Sequence, residues 1–273
     1  MCIAYRHNSD RGYVSRIALI ALAVAAASLG GCVDVPGLSS TPAATAQAPQ
    51  AGSDQWRAYT DEWGKRYDQS SGDKTASINY ARGLRALTRY SEATAVMRTA
   101  AVEAPQDNEV LGEYGKALAD SGDLSQAKDV LTRAYPEDRP DWTIMSVQGA
   151  VEDELGNHDG ARQFYAEALK IAPGEPHLLN NLGLSYALTK QLPQAEATLR
   201  EASASPHADV RVRNNLALVL SLEGKYAQAE DVSRQDMSDD AARANVKSIR
   251  QMIASRGVSS AMRSSPQSAV ATE

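Results

Sequence analysis

Residues 180–188 read NNLGLSYAL and residues 214–222 read NNLALVLSL, the second copy starting 34 positions after the first. A chain that echoes itself at a fixed interval of this size builds its fold from one supersecondary unit used several times. A frame of 34 set by Asn180 opens units at Lys74, Asn108, Trp142, Pro176 and Val210 with no insertion. Its eighth position is small throughout: Ala81, Gly115, Gly149, Gly183 and Ala217. The twentieth is alanine in all five units, as Ala93, Ala127, Ala161, Ala195 and Ala229. The twenty-seventh is Ala100, Ala134, Ala168 and Ala202, and breaks only at Asp236. Gly122, Gly156 and Gly224 hold the fifteenth position, and Pro105 and Pro173 the thirty-second.

Small side chains at the eighth and twentieth positions let two helices cross closely, and the glycine between them marks a turn. Each unit therefore reads as a helical hairpin, helix A then helix B. Neither helix can bury its apolar face alone, so neighbouring hairpins must stack. The composition agrees: aromatics make up only 5% of the chain, and Phe164 is the single phenylalanine.

The pattern resembles the tetratricopeptide repeat, with L-G-x2-Y, then alanine, an aromatic, alanine and proline over 34 residues. The third unit is its best copy, in Gly149, Gly156, Ala161, Tyr165, Ala168 and Pro173; Leu182-Gly183 and Tyr186 supply the L-G-x2-Y core of the fourth. The resemblance implies an all-α fold, a right-handed superhelix of five hairpins over 74–107, 108–141, 142–175, 176–209 and 210–239. Residues 54–73 read as a leading helix that packs Trp56, Tyr59, Trp63 and Tyr67 from one face, an aromatic binding stripe being the alternative. Residues 240–254 read as a capping helix with Ala241, Ala244, Val246, Ile249 and Ile253 on its inner face, and 255–273 as a disordered tail.

The start of the chain reads as an address. Arg6, Arg11 and Arg16 lie before and at the edge of the apolar run Ile17–Ala27, too short for a stable membrane span, which fits a secretory signal over residues 1–31. The run ends in Leu29-Gly30-Gly31-Cys32, which resembles a bacterial lipobox with Cys32 as the lipidated first residue of the mature chain. An ordinary cleavage site beside an incidental cysteine is the alternative. Cys2 leaves with the signal, so Cys32 has no internal disulfide partner. Val33 after the cysteine, by resemblance to enterobacterial sorting, implies the periplasmic face of the outer membrane. Residues 32–53 form the lipidated end and a Pro/Ala-rich tether reaching roughly 25 Å as a flexible coil.

The whole chain holds 28 basic and 34 acidic residues; loss of Arg6, Arg11, Arg16 and Asp10 leaves 25 against 33, a net charge of −8. This balance argues against a nucleic-acid partner. His158, His177 and His207 fall in no metal-ligand spacing, and no catalytic constellation is found. No cofactor is expected, and no enzymatic activity.

Function then rests on the helix A faces that line the groove of such an array, at positions 2, 5, 6, 9, 12 and 13. The first three units place there Ile78, Asn79, Arg82, Arg85, Glu109, Glu113, Lys116, Asp120, Ser146, Val147, Asp153 and Glu154, a mixed-charge lining. The last two differ. Asn180, Asn181, Leu184 and Leu188, matched by Asn214, Asn215, Leu218 and Leu222 with Arg211 at the rim, suit a partner segment: leucines fill pockets and amides pair with backbone. The alternative is that these leucines pack between helices while the asparagines order the hairpins.

The lipobox, the tether, the five units and the stretches LNNLGLSYAL, QAEATLREA and RVRNNLALVLSLEGKYAQAE resemble the TadD-type lipoproteins of tight-adherence (Flp) pilus systems over about residues 77–253. That resemblance implies a non-enzymatic, pilotin-like assembly factor. It would be held to the membrane by its N-terminal lipid, with a pilus secretin or another Flp pilus component as partner. A general envelope scaffold, serving outer-membrane protein insertion or peptidoglycan enzymes, is the competing reading. The sequence leaves the oligomeric state open.

Overall fold

In the computed structural model the described residues are 54–134 and 140–264, with side chains through Ser255. The expected signal, tether, lipid-bearing cysteine and last nine residues lie outside them. Among the described residues the chain forms twelve α-helices and no strand. In chain order they are α1 (Asp54–Gln69), α2 (Lys74–Ala86), α3 (Tyr90–Glu103), α4 (Asn108–Ser121), α5 (Leu124–Ala134) and α6 (Trp142–Glu154), followed by α7 (His158–Ile171), α8 (Pro176–Leu188), α9 (Leu192–Ala204), α10 (Val210–Leu222), α11 (Tyr226–Ser233) and α12 (Asp239–Ser264). The chain divides into two compact units at Gly156–Asn157, between the two helices of the third hairpin.

The five A helices begin at Lys74, Asn108, Trp142, Pro176 and Val210, the residues that open the 34-residue units. Each start is set by a carboxylate one residue earlier. Asp73 accepts from the Ala76 amide, Asp107 from Glu109 and Val110, Asp141 from Thr143, Glu175 from His177, and Asp209 from Arg211 and Val212. An acceptor there satisfies amide donors that the first turn cannot, and its charge suits the positive end of the helix dipole. This acidic thirty-fourth position runs through all five junctions and is missing from the small-residue pattern by which the frame is read.

Every A helix also ends the same way. The fifteenth residue takes a left-handed conformation: Gly122, Gly156 and Gly224, but also Thr88 at φ 60° and Lys190 at φ 61°. The next amide then reaches back to the helix, as Arg89 to the Leu84 carbonyl, Asp123 to Leu118, Gln191 to Tyr186 and Lys225 to Leu220. Two side-chain-bearing residues thus do what glycine does in the other three turns, at a steric cost.

In the first unit, residues 54–156, Ala81, Ala93, Met97, Ala117, Ala127 and Leu131 are fully buried in one core. A Cβ on Gly115 would lie 2.5 Å from Leu131 Cγ, so only glycine admits that crossing. The leading helix is seated by small residues: Thr60 and Gly64 are its buried pair, and a Cβ on Gly83 would lie 3.2 Å from Thr60 Cα. Its aromatics flank that contact half-buried, Tyr67 against Tyr80 with ring centres 5.5 Å apart and Tyr59 donating to Asn79 Oδ1 at 2.6 Å.

In the second unit, residues 157–264, Ala195, Leu199, Ala217 and Leu220 are fully buried, and Gly183 would place a Cβ 2.6 Å from Leu199 Cγ. α11 is only eight residues long. Asp236, the one failure of the alanine rule, therefore lies beyond the helix. There it takes a two-pronged ion pair from Arg213 of α10, its Oδ1 at 2.6 Å from Nη2. The buried stripe of α12 is Ala242, Val246 and Ile249; Ala241 and Ala244, expected inside, are exposed. α12 continues to Ser264, into residues read from sequence as a disordered tail.

Candidate functional face

In the second unit α8 and α10 lie side by side, and the paired asparagines and leucines meet along them. Asn215 donates to Asn180 Oδ1 at 2.8 Å, and Asn180 Nδ2 lies 3.3 Å from Asn181 Oδ1. Three of the four amides therefore form a seam between successive repeats rather than standing open to a partner. Leu184, Leu188 and Leu218 are half-buried and Leu222 is 42% exposed, whereas Leu216 and Leu220 are 2% and 0% exposed. Among the described residues, the four leucines are absent from the buried clusters around Leu220 and around Val212. Arg211 stands exposed at the rim, its Nε 2.8 Å from Asp209 Oδ2, so it is oriented by the carboxylate that caps its own helix. Burial raises the Asp209 pKa, and the bonds from Arg211 and the Val212 amide more than reverse this, holding it below the usual value. The face that results is an apolar strip on an amide-stitched seam.

In the first two repeats several equivalent positions carry charge. Position nine is Arg82 and Lys116 there, against Leu184 and Leu218; position six is Asn79 and then Glu113, against Asn181 and Asn215. Glu113 is 5% exposed and accepts from Arg82 at 3.0 Å, Lys116 at 3.1 Å and Arg85 at 3.4 Å. Arg85 also holds Asp120 at 2.6 Å, and Lys74 holds Asp107 at 2.8 Å and Glu109 at 3.0 Å. Burial would push the Glu113 carboxyl up, but Lys116, Arg82 and Arg85 together hold it below its ordinary value. Glu154 goes the other way: burial and the nearby Asp120 and Asp153 raise its pKa. Ile78, expected on the groove, is 2% exposed and belongs to the core.

Among the described residues no group of three or more His, Cys, Asp and Glu side chains is placed to hold a metal ion, and no helix is long and apolar enough to cross a membrane.

No curated protein matches the chain. Solved structures do. The chain is similar to PilW, described as a widely conserved type IV pilus biogenesis factor, at TM-score 0.58 and 15% identity over 66% of this chain and 86% of that one. A thermophilic TPR protein of Thermus thermophilus aligns at TM-score 0.55 and 21% identity, over 61% of this chain and 91% of its own. The Cut9-Hcn1 hetero-tetramer of the APC/C aligns at TM-score 0.57 and 16% identity over 75% of this chain; there the chain spans only 40% of its counterpart. At such identities the likeness is one of fold. The tetratricopeptide-repeat pattern matches residues 78–141, 115–176, 154–219 and 210–235. With the five capped hairpins, this makes the chain a tetratricopeptide-repeat protein, a fold built for holding other proteins.

Proposed function

We propose that the protein is a non-enzymatic, lipid-anchored scaffold of the outer membrane that acts as a pilotin-like factor in Flp pilus and secretin assembly. Its client would be held on the leucine strip of α8 and α10. The observation that carries the holding role is the exclusion of Leu184, Leu188, Leu218 and Leu222 from a core that buries their neighbours Leu216 and Leu220. Apolar side chains kept on one face beside an internally satisfied polar seam suit a helical or extended segment with its own apolar face. The membrane address rests on Leu29-Gly30-Gly31-Cys32 and the tether behind it. Two acyl chains hold a soluble domain on a bilayer. The pilus assignment rests on the resemblance to TadD-type lipoproteins; the likeness to a type IV pilus biogenesis factor agrees with it at the level of fold alone.

The test is made in pilus-forming cells with a photocrosslinking side chain in place of Leu222. Capture of a secretin subunit is expected, together with release of the protein from membranes by Cys32→Ser. Capture of an outer-membrane insertion component or a peptidoglycan enzyme instead would move the assignment to a general envelope scaffold. Membrane retention of the signal-cleaved Cys32→Ser protein would remove the lipid anchor.

A further inference from the structure

The first unit holds a polar groove that the leucine strip does not explain. Two clefts, of about 430 and 530 Å³, share Arg82, Glu113 and Lys116. Their other walls differ. Trp56 and Tyr90 line the larger, more open one, with Arg85 and Asp120; Glu109 and Asp141 line the smaller one, together with Ile144 and Gly112. A Cβ on Gly112 would lie 2.6 Å from Ile144 Cδ1.

The charge is distributed unevenly. In the larger cleft three cations face Glu113 and Asp120; in the smaller one three carboxylates face Arg82 and Lys116. The groove thus has a cationic, aromatic end and an anionic end. One buried carboxylate, Glu113, serves Arg82, Arg85 and Lys116 at once. Arg85 has Asp120 as well, at 2.6 Å, whereas the further carboxylate of Arg82, Glu109, is 3.9 Å away. Arg82 and Lys116 are therefore where an incoming anion gains most.

We propose that this groove is a second protein-interaction site, which takes an extended peptide segment in one direction. A carboxylate of the segment sits between Arg82 and Lys116, an adjacent aromatic or large apolar side chain lies against Trp56 and Tyr90, and a basic residue on the other side faces Glu109 and Asp141. Opposed charges at the two ends fix orientation as well as affinity. The site is built from the first unit and the leucine strip from the second; its charged lining calls for a partner segment of different chemistry.

The test selects peptides from a random library on the immobilised full-length chain, then measures the best one by fluorescence polarisation. The expected selection pairs an acidic with an aromatic residue and places a basic residue on the far side of the acid. Its Kd should rise about tenfold when its acid is replaced by the amide, and also in Arg82→Gln or Lys116→Met protein, as loss of one charge-assisted contact implies. Lys116→Met leaves Arg82 and Arg85 on Glu113, so it reports on binding if Arg82→Gln fails to fold. Leu184→Asp with Leu218→Asp should leave this Kd unchanged, which separates the site from the strip. Selection of no peptide, of peptides without an acid, or of acidic runs without an aromatic overturns the proposal, as does affinity indifferent to both variants.

Discussion

In the first unit the A helices of successive repeats meet through ions, Arg82 and Arg85 on Glu113; in the second they meet through amides, Asn215 on Asn180, with leucines beside them. Both seams use position six of the later repeat, Glu113 or Asn215, but its partners differ: positions nine and twelve in the first, position five in the second. The backbone frame around them is alike, down to the carboxylate cap and the left-handed turn. Position eight and the caps set the architecture. Positions six, nine and thirteen are free to carry chemistry, and the two halves spend them differently. An ionic seam depends on pH and salt; an amide seam depends on neither.

The shared frame gives the largest effect. Gly115→Val and Gly183→Val should each destabilise by about 3 kcal/mol, since the new side chain enters Leu131 or Leu199. Urea unfolding should show similar losses in the two halves; a loss confined to one would mean that the crossings are not equivalent. Next comes Glu113→Gln, which strips three cations of their common carboxylate and should cost about 2 kcal/mol, less than a fully buried pair because Arg82 reaches solvent. Trp56, Trp63 and Trp142 all lie in the first unit, so tryptophan fluorescence follows that unit and far-UV circular dichroism follows both. The fluorescence transition should move and the second unit's should not.

Acid acts on the ionic seam and on carboxylates of both halves. Glu113 and Asp107 have pKa values below their ordinary ones, Asp107 chiefly through Lys74. A carboxylate depressed on folding contributes stability that is whole above its unfolded value and is lost as pH falls through the folded one. The window therefore lies below about pH 4.5 for Glu113 and below about 3.8 for Asp107. Glu154, raised on folding, opposes them, favouring the fold at lower pH. Asp209 and Glu196 of the second unit are depressed as well, so acid should weaken both units over the same range, the fluorescence and circular-dichroism transitions falling together. Asn215→Ala should cost about 1 kcal/mol at any pH, by removing the donor to Asn180. The smallest effects are gains: Thr88→Gly and Lys190→Gly should each add roughly 0.5–1 kcal/mol, seen as a higher urea midpoint, because both residues hold a positive φ.

The repeat frame was legible because small side chains at fixed spacing have no substitute where helices cross at van der Waals distance. The caps were equally visible in principle. Asp73, Asp107, Asp141, Glu175 and Asp209 recur every 34 residues, but a search for apolar periodicity passes over them. Thr88 and Lys190 show why glycine alone under-reads a turn: backbone hydrogen bonds hold the conformation without it. At the candidate face, the sequence brought forward α8 and α10 but not the pairing of Asn180 with Asn215. Identical neighbouring residues read as a row facing outward, whereas facing helices turn two of them toward each other. The inner face of α12 was misread by one residue at Ala241 because alanines surround it and give the helix little apolar contrast.

The role proposed for the leucines of α8 and α10 is to stay out of the core for a partner. Leu184→Asp with Leu218→Asp tests it most directly, by thermal melting of the purified chain beside capture of its client from detergent-solubilised envelopes. The expected result is a chain still folded at its working temperature, with a Tm lowered by no more than about 10 °C as two half-buried side chains imply, and loss of capture. A collapse of the helical signal at the temperature where the unaltered chain is folded would make these leucines core and contradict it.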